Sequence, residues 1–173
     1  VWGDAHADIN TMKSSTSQSM HGMPLSFLTG LSRLEFEWLP NKLDFSRLTY
    51  IGLRDVDAFE QELIDKHKIR TYSVKDLKDY PQDVTEEITS FIGNNPLHVS
   101  LDVDAFDPTI FPSTGTPVDR GIDLEDWNFL VNHLPTFRSM DFVELNTSLG
   151  TKNNQTLSLK NSISVLDAYL LRT

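Results

Sequence analysis

One stretch constrains this chain more than any other. Leu97–Asp107 reads Leu-His-Val-Ser-Leu-Asp-Val-Asp-Ala-Phe-Asp. Its first half is an apolar, β-branched run of the kind that forms a strand buried on both faces, with His98 inside it. Asp102 and Asp104 then interrupt the run two residues apart. Side chains at i and i+2 of a strand share a face, so both acids are expected to project to one side at the strand's carboxyl end. Adjacent carboxylates repel, and burying them is costly unless a cation neutralises them or one takes up a proton. The stretch therefore predicts a site. A loop carrying Pro108, Pro112, Gly115 and Pro117 follows it.

A second constellation lies near the start, in Asp4-Ala5-His6-Ala7-Asp8-Ile9-Asn10. Asp4, His6 and Asp8 stand at i, i+2 and i+4 with small residues between them. On an extended strand all three leave one face. With Asp102 and Asp104 they make four carboxylates and one imidazole from the ends of two strands. An oxygen-rich set with an imidazole suits Mn²⁺ better than zinc, which favours nitrogen and sulfur donors. Shared carboxylates also suit a two-metal site. A single Mg²⁺ bound for phosphate chemistry is the competing reading, but no glycine-rich phosphate loop accompanies these acids.

The rest of the chain reads as alternating strands and helices. Strands are expected at Val1–Ala7, Leu48–Gly52, Ile69–Ser73, Leu97–Val103 and Ser139–Leu145. Helices are expected within Met23–Leu31 with Pro24 early, at Ala58–Lys68 with Asp57 and Glu60 at capping-box spacing, and at Val84–Ile92 capped by Asp83. Two more follow. Leu124–Leu134 is capped by Asp123 and turns Leu124, Trp127 and Val131 inward; Leu157–Leu171 carries a stripe of Leu159, Ile163, Leu166 and Leu170. Such alternation predicts an α/β fold, a parallel sheet with helices on both faces. Ligands of such sheets bind at the carboxyl ends of the strands, where both acid clusters fall.

The 173 residues suffice for one domain with a sizeable core. A net charge of −10 argues against a nucleic-acid partner. The lack of an apolar run near the membrane-spanning length argues against a membrane. With no cysteine, disulfides and thiolate chemistry are excluded, which points to the cytoplasm. Val1 begins inside an expected strand, so residues upstream are expected.

On these motifs the sequence resembles the arginases of the ureohydrolase superfamily. Asp4-Ala5-His6-Ala7-Asp8-Ile9-Asn10 is similar to the first ureohydrolase signature, and Ser100-Leu101-Asp102-Val103-Asp104-Ala105-Phe106-Asp107-Pro108 to the second. Ser17 with His21-Gly22, Gly52-Leu53-Arg54-Asp55-Val56-Asp57, Gly115-Thr116-Pro117 and Glu144-Leu145-Asn146 follow the arginase pattern in order. The resemblance implies residues 1–173 as the C-terminal portion of a single three-layer α/β/α domain. It implies hydrolysis of L-arginine to L-ornithine and urea by a hydroxide bridging two Mn²⁺ ions, in a cytoplasmic homo-oligomer such as a trimer. Asp4, His6, Asp8, Asp102 and Asp104 would be the metal ligands. Asp8 would carry a proton to the leaving amine, and His21 would shuttle one. Glu144 would take the guanidinium, while Asn10, Ser17, Ser19, Asp57 and Thr116 would complete the substrate site.

The chain departs from the family at several points. Gly3 replaces an apolar residue, Ser17-Gln18-Ser19 replaces Ser-Gly-Asn, and Thr147 replaces a proline. The first ion's histidine ligand belongs to a block upstream of the first signature. His67, His98 and His133 are expected to be structural. Other roles also fit individual residues: Asp57 as a helix cap, Thr116 as loop geometry, His21 as the start of a helix, Asp107 as a turn former. Glu144 on an apolar strand reads as a buried acid needing a partner. An agmatinase-type ureohydrolase and a non-catalytic arginase-like subunit are the alternative functions.

Overall fold

The computed structural model describes residues 1–33 and 36–172. All five expected strands form, each shorter than or shifted from its apolar run: β1 (Trp2–Gly3), β2 (Thr49–Ile51), β3 (Arg70–Tyr72), β4 (Leu97–Asp102) and β5 (Phe137–Val143). They pair in parallel throughout, in the order β3-β2-β1-β4-β5. The chain leaves β1 toward β2 and β3 on one side, then returns to place β4 on the other. The crevice between β1 and β4 is thus a topological switch point, the place where ligands bind in such sheets.

Among the described residues six α-helices flank the sheet: α1 (Pro24–Leu28), α2 (Ala58–His67), α3 (Val74–Asp79), α4 (Pro81–Ile92), α5 (Leu124–His133) and α6 (Lys152–Leu170). Two apolar layers result. Tyr50 and Ile51 are consecutive on β2 and so face opposite ways. Tyr50 joins Leu25, Leu63 and Ile64 of α1 and α2. Ile51 joins the larger layer of Leu77, Ile88, Trp127 and Val165 from α3, α4, α5 and α6. The expected α/β/α layering holds.

Several local expectations are corrected. β1 ends at Gly3, so the Asp4–Asp8 segment is not extended strand. α3 was not expected; its signal is Ser73 with Asp76, where the Ser73 hydroxyl accepts the Asp76 N–H at 3.1 Å and Asp76 accepts the Ser73 N–H at 2.8 Å. α4 starts three residues before Val84, with Pro81 in its first turn and Tyr80 at the cap in place of Asp83. His98 is exposed, because it faces the polar Ser139 and Asp141 of β5, with Nδ1 2.8 Å from the Ser139 hydroxyl.

α6 presents a different face from the expected one. Leu159, Ile163 and Leu170 are exposed, and its buried residues are Ser158, Asn161, Ser162 and Val165. The helix packs over loop backbone that needs hydrogen-bond partners. The Ser158 hydroxyl accepts the Ser113 N–H at 3.1 Å, and the Asn161 amide donates to the Ile110 carbonyl at 2.8 Å. Capping of α5 by Asp123 is as expected, with its carboxylate accepting the Glu125 and Asp126 N–H groups.

Gly121 runs against the backbone of Phe106 and Asp107, where Ile122 bridges to Phe106. A Cβ at Gly121 would lie 2.2 Å from the Phe106 carbonyl carbon. Backbone cannot move aside as a flexible side chain does. Gly121→Ala is expected to cost about 3 kcal/mol in urea unfolding; an unchanged midpoint would show that the Phe106 turn yields freely.

Candidate metal centre

The register of β1 with β4 sets Trp2 opposite Ser100 and Gly3 opposite Leu101. Continuing by one residue brings Asp4 level with Asp102, and both chains leave the sheet there. Asp4 is 1% exposed. Its Oδ1 accepts the His6 N–H at 2.7 Å and its Oδ2 the Trp2 indole N–H at 2.9 Å. The chain then folds into a loop rather than continuing straight, and Asp8 has φ 53°. That left-handed conformation is one that aspartate tolerates better than most residues. Buried partners hold the loop: the Tyr50 hydroxyl donates to the Ala7 carbonyl at 2.7 Å, and the Ile9 N–H to Glu60 Oε1 at 3.0 Å.

The second acid pair is also set by a turn. Val103–Ala105 forms one 3-10 turn, capped by Asp102, whose Oδ1 accepts the Asp104 N–H at 2.8 Å. Strand alternation therefore does not place Asp104. Its carboxylate is fixed by the Ala5 N–H at 3.1 Å and the Thr116 hydroxyl at 3.1 Å. His6 Nδ1 lies 3.1 Å from Asp104 Oδ2 and 3.5 Å from Asp4 Oδ1, and its Nε2 is 3.8 Å from Asp55.

Asp4, His6 and Asp104 thus each offer a ligand atom within 4.8 Å of the others, the group among the described residues that could hold a metal ion. Asp8 and Asp102 stand beside this trio, close enough to interact with Asp4 electrostatically. Burial, and then the charge of Asp4, hold both carboxyls well above the usual carboxylate range. Asp4 is raised too, chiefly by burial. For Asp104 burial acts in the same direction, but the hydrogen bond and charge of His6 outweigh it and its carboxyl falls below the usual range. Burial would lower the His6 imidazole, yet the hydrogen bonds and charges of Asp104 and Asp4 push it up to about 11. The cluster's acids thus favour protons over full ionisation, and ionising them together would call for a further positive charge beside them.

The remaining expected residues divide. Asp8, His21, Asp102 and Glu144 line one open cleft of about 670 Å³. Glu144 is not a buried strand residue: β5 ends at Val143, and Glu144 is exposed with φ 62°. Asn10 and Asp57 meet, the Asn10 amide donating to Asp57 Oδ2 at 2.8 Å. Ser17 and Ser19 are not drawn to that pair; the Ser17 hydroxyl is 3.3 Å from that of Ser15 and accepts the Ser19 N–H at 3.2 Å. Asp107 forms a turn, accepting the Thr109 N–H at 3.0 Å. His67 stacks on Phe45, and His133 on Phe129.

Two contributors were not legible. Glu60 was expected only as a capping partner, and it does accept the Asp57 N–H at 3.1 Å. Being buried, it also anchors the loop after Asp8. Arg54 gave no signal beyond its place in the Gly52–Asp57 block, yet it makes hydrogen bonds to six carbonyl groups around the centre.

Comparison with known proteins bears on the family of the chain and on its fold. A model of the arginase family matches residues 1–166. Arginase of Coccidioides immitis is 43% identical over 162 residues, covering 87% of this chain and 50% of its own length. Arginase of Entamoeba histolytica, solved in complex with L-ornithine, has a TM-score of 0.84 at 33% identity, over 95% of this chain and 58% of that one. An arginase structure from Bacillus subtilis has a TM-score of 0.85 at 29% identity, over 98% of this chain and 60% of that one. The chain spans about half the length of the curated relatives it matches. Because the match runs from the first acid-bearing loop into α6, the chain belongs to the arginase family.

Proposed function

We propose that this chain hydrolyses L-arginine to L-ornithine and urea, with Asp4, His6, Asp8, Asp102 and Asp104 holding two Mn²⁺ ions. The observation that carries the reading is the cluster of Asp4, His6 and Asp104 ligand atoms within 4.8 Å, flanked by Asp8 and Asp102. Acids buried together without a cation destabilise the fold that holds them. Carboxylate oxygens with one imidazole are a donor set that fits Mn²⁺. When bound, such ions supply a hydroxide nucleophile near neutral pH and polarise the substrate.

The protein's own groups do the rest. Glu144, on the cleft that Asp8 and Asp102 also line, pairs with the guanidinium, for which a carboxylate offers two parallel acceptors. Asp8 takes a proton during attack and returns it to the departing amine, with His21 relaying protons to the cleft mouth. Asn10 and Asp57, already joined, hold the α-carboxylate and α-amino ends together with Ser17 and Ser19. Thr116 contributes by orienting Asp104.

The enzyme is further read as a cytoplasmic homo-oligomer. No helix among the described residues is long and apolar enough to cross a membrane. Leu159, Ile163 and Leu170 give α6 an apolar outer row that self-association could cover.

Urea release should be faster with L-arginine than with agmatine, which lacks the α-carboxylate; the reverse preference would assign the chain to the agmatinase type. Glu144→Gln should lower kcat/KM for arginine by about 10²-fold without moving the melting temperature, since the residue is exposed.

Manganese should also raise the melting temperature. At a hundredfold excess over Kd the gain is about 2.7 kcal/mol, or roughly 5–10 °C for a chain of this size. The pH dependence has a definite sign. Asp4, Asp8, Asp102 and His6 bind protons more tightly folded than unfolded, so metal-free stability should be greatest near the usual carboxylate range and fall as pH rises. Asp104 alone acts oppositely, with its contribution lost as pH falls. The Mn²⁺ increment should therefore be larger at pH 8 than at pH 6. A melting curve indifferent to Mn²⁺ at pH 8 would favour a non-catalytic subunit.

A further inference from the structure

We infer that Arg54 is a positioning residue for the metal centre, clamping the two ligand-bearing loops to one another through backbone carbonyls. The inference rests on the metal-site reading above and assigns its geometry to a residue that ligates nothing. The Arg54 N–H donates to the Ala5 carbonyl at 2.9 Å, together with the Asp55 N–H at 3.0 Å. Ala5 lies between Asp4 and His6, so this pair of bonds fixes the first loop. The guanidinium then reaches the second. Nη2 donates to the carbonyls of Asp104 at 2.6 Å, Val118 at 2.7 Å and Phe106 at 3.3 Å. Nη1 donates to those of Ala105 at 3.2 Å and Gly52 at 3.0 Å, and Nε to that of Asp119 at 3.1 Å.

These partners are all neutral carbonyls, in a protein of net charge −10 where carboxylates are abundant. Three belong to consecutive residues, Asp104, Ala105 and Phe106, where the 3-10 turn ends. Holding those three peptide planes fixes the backbone from which the Asp104 carboxylate extends. The carbonyls of Val118 and Asp119 tie down the far end of the loop that carries Thr116, the hydroxyl donor to Asp104. A planar guanidinium with five N–H donors can span these separate segments, whereas a lysine ammonium is a single point with three. The same geometry explains why the Asp104 carboxylate stays free of Arg54 and open toward His6.

The test uses Arg54→Lys, which keeps the charge, and Arg54→Ala, beside Ile88→Ala as a control that opens a cavity in the buried core under α4 and removes none of the clamp's hydrogen bonds. Mn²⁺ binding is read by the loss of the free-ion electron paramagnetic resonance signal, and metal-free stability by thermal melting. The wild-type chain should bind Mn²⁺. Both Arg54 variants should bind it 10–100-fold more weakly, with Lys recovering part of what Ala loses, while Ile88→Ala melts lower yet binds within about twofold of wild type. Equal weakening in Ile88→Ala, or unaltered binding in both Arg54 variants, would overturn the positioning role. If neither Arg54 variant folds even at saturating Mn²⁺, the residue is a general structural staple and the inference fails as well. A wild-type chain that binds no Mn²⁺ would instead overturn the metal-site reading itself, and the inference with it.

Discussion

The parallel pairing of β1 with β4 is the contact on which the rest of the structure depends. It joins strands distant in sequence and ends both at the same level, so that Asp4 leaves one beside Asp102 leaving the other. Because the chain runs outward from β1 in one direction and returns to add β4 on the opposite side, the connections diverge and open a crevice between them. No helix needs to be notched to make room for a ligand there. Every acid in the cluster stands at or just beyond this one strand boundary.

The same placement sets the electrostatic problem that the surroundings address. Four carboxylates converge at the edge of two apolar layers, and the fold offers them hydrogen bonds in place of lost water. The indole of Trp2, the N–H groups of Ala5, His6 and Asp104, and the hydroxyl of Thr116 all point at them. These bonds do not offset burial and mutual repulsion, which together raise Asp4, Asp8 and Asp102 above the usual carboxylate range. Left-handed backbone at Asp8 and Glu144 adds a further local cost of order 1 kcal/mol each. A fold selected for stability alone has no use for such a cluster, so its presence is evidence of function.

Much of this was legible in the residues, and the failures share a cause. The Asp-Ala-His-Ala-Asp and Asp-Val-Asp spacings picked out residues that the fold does bring together, Asp4, His6 and Asp104, but the strand periodicity invoked to place them was wrong. Asp8 and Asp104 are set by loops whose shape depends on Tyr50, Glu60 and Arg54, all far away in sequence. α6 shows the same limit: its helical stripe of leucines is real, yet it faces outward because Ser158 and Asn161 are needed against loop backbone groups. The register of an amphipathic helix is chosen by what lies beneath it, and the sequence of the helix does not contain that.

The sequence by itself determined the chemistry: an alternating α/β chain, buried apolar strands interrupted by acids at their carboxyl ends, and a donor set of oxygen with one imidazole. Local physics suffices for these, since hydrophobic period, capping and ligand type are properties of short segments. Only the tertiary structure decided which acids meet, that Glu144 stands exposed on the same cleft as Asp8 and Asp102, and that the guanidinium of Arg54 serves carbonyl groups instead of carboxylates. Those outcomes turn on contacts between segments distant in the sequence, and their geometry exists only once the sheet has closed around them.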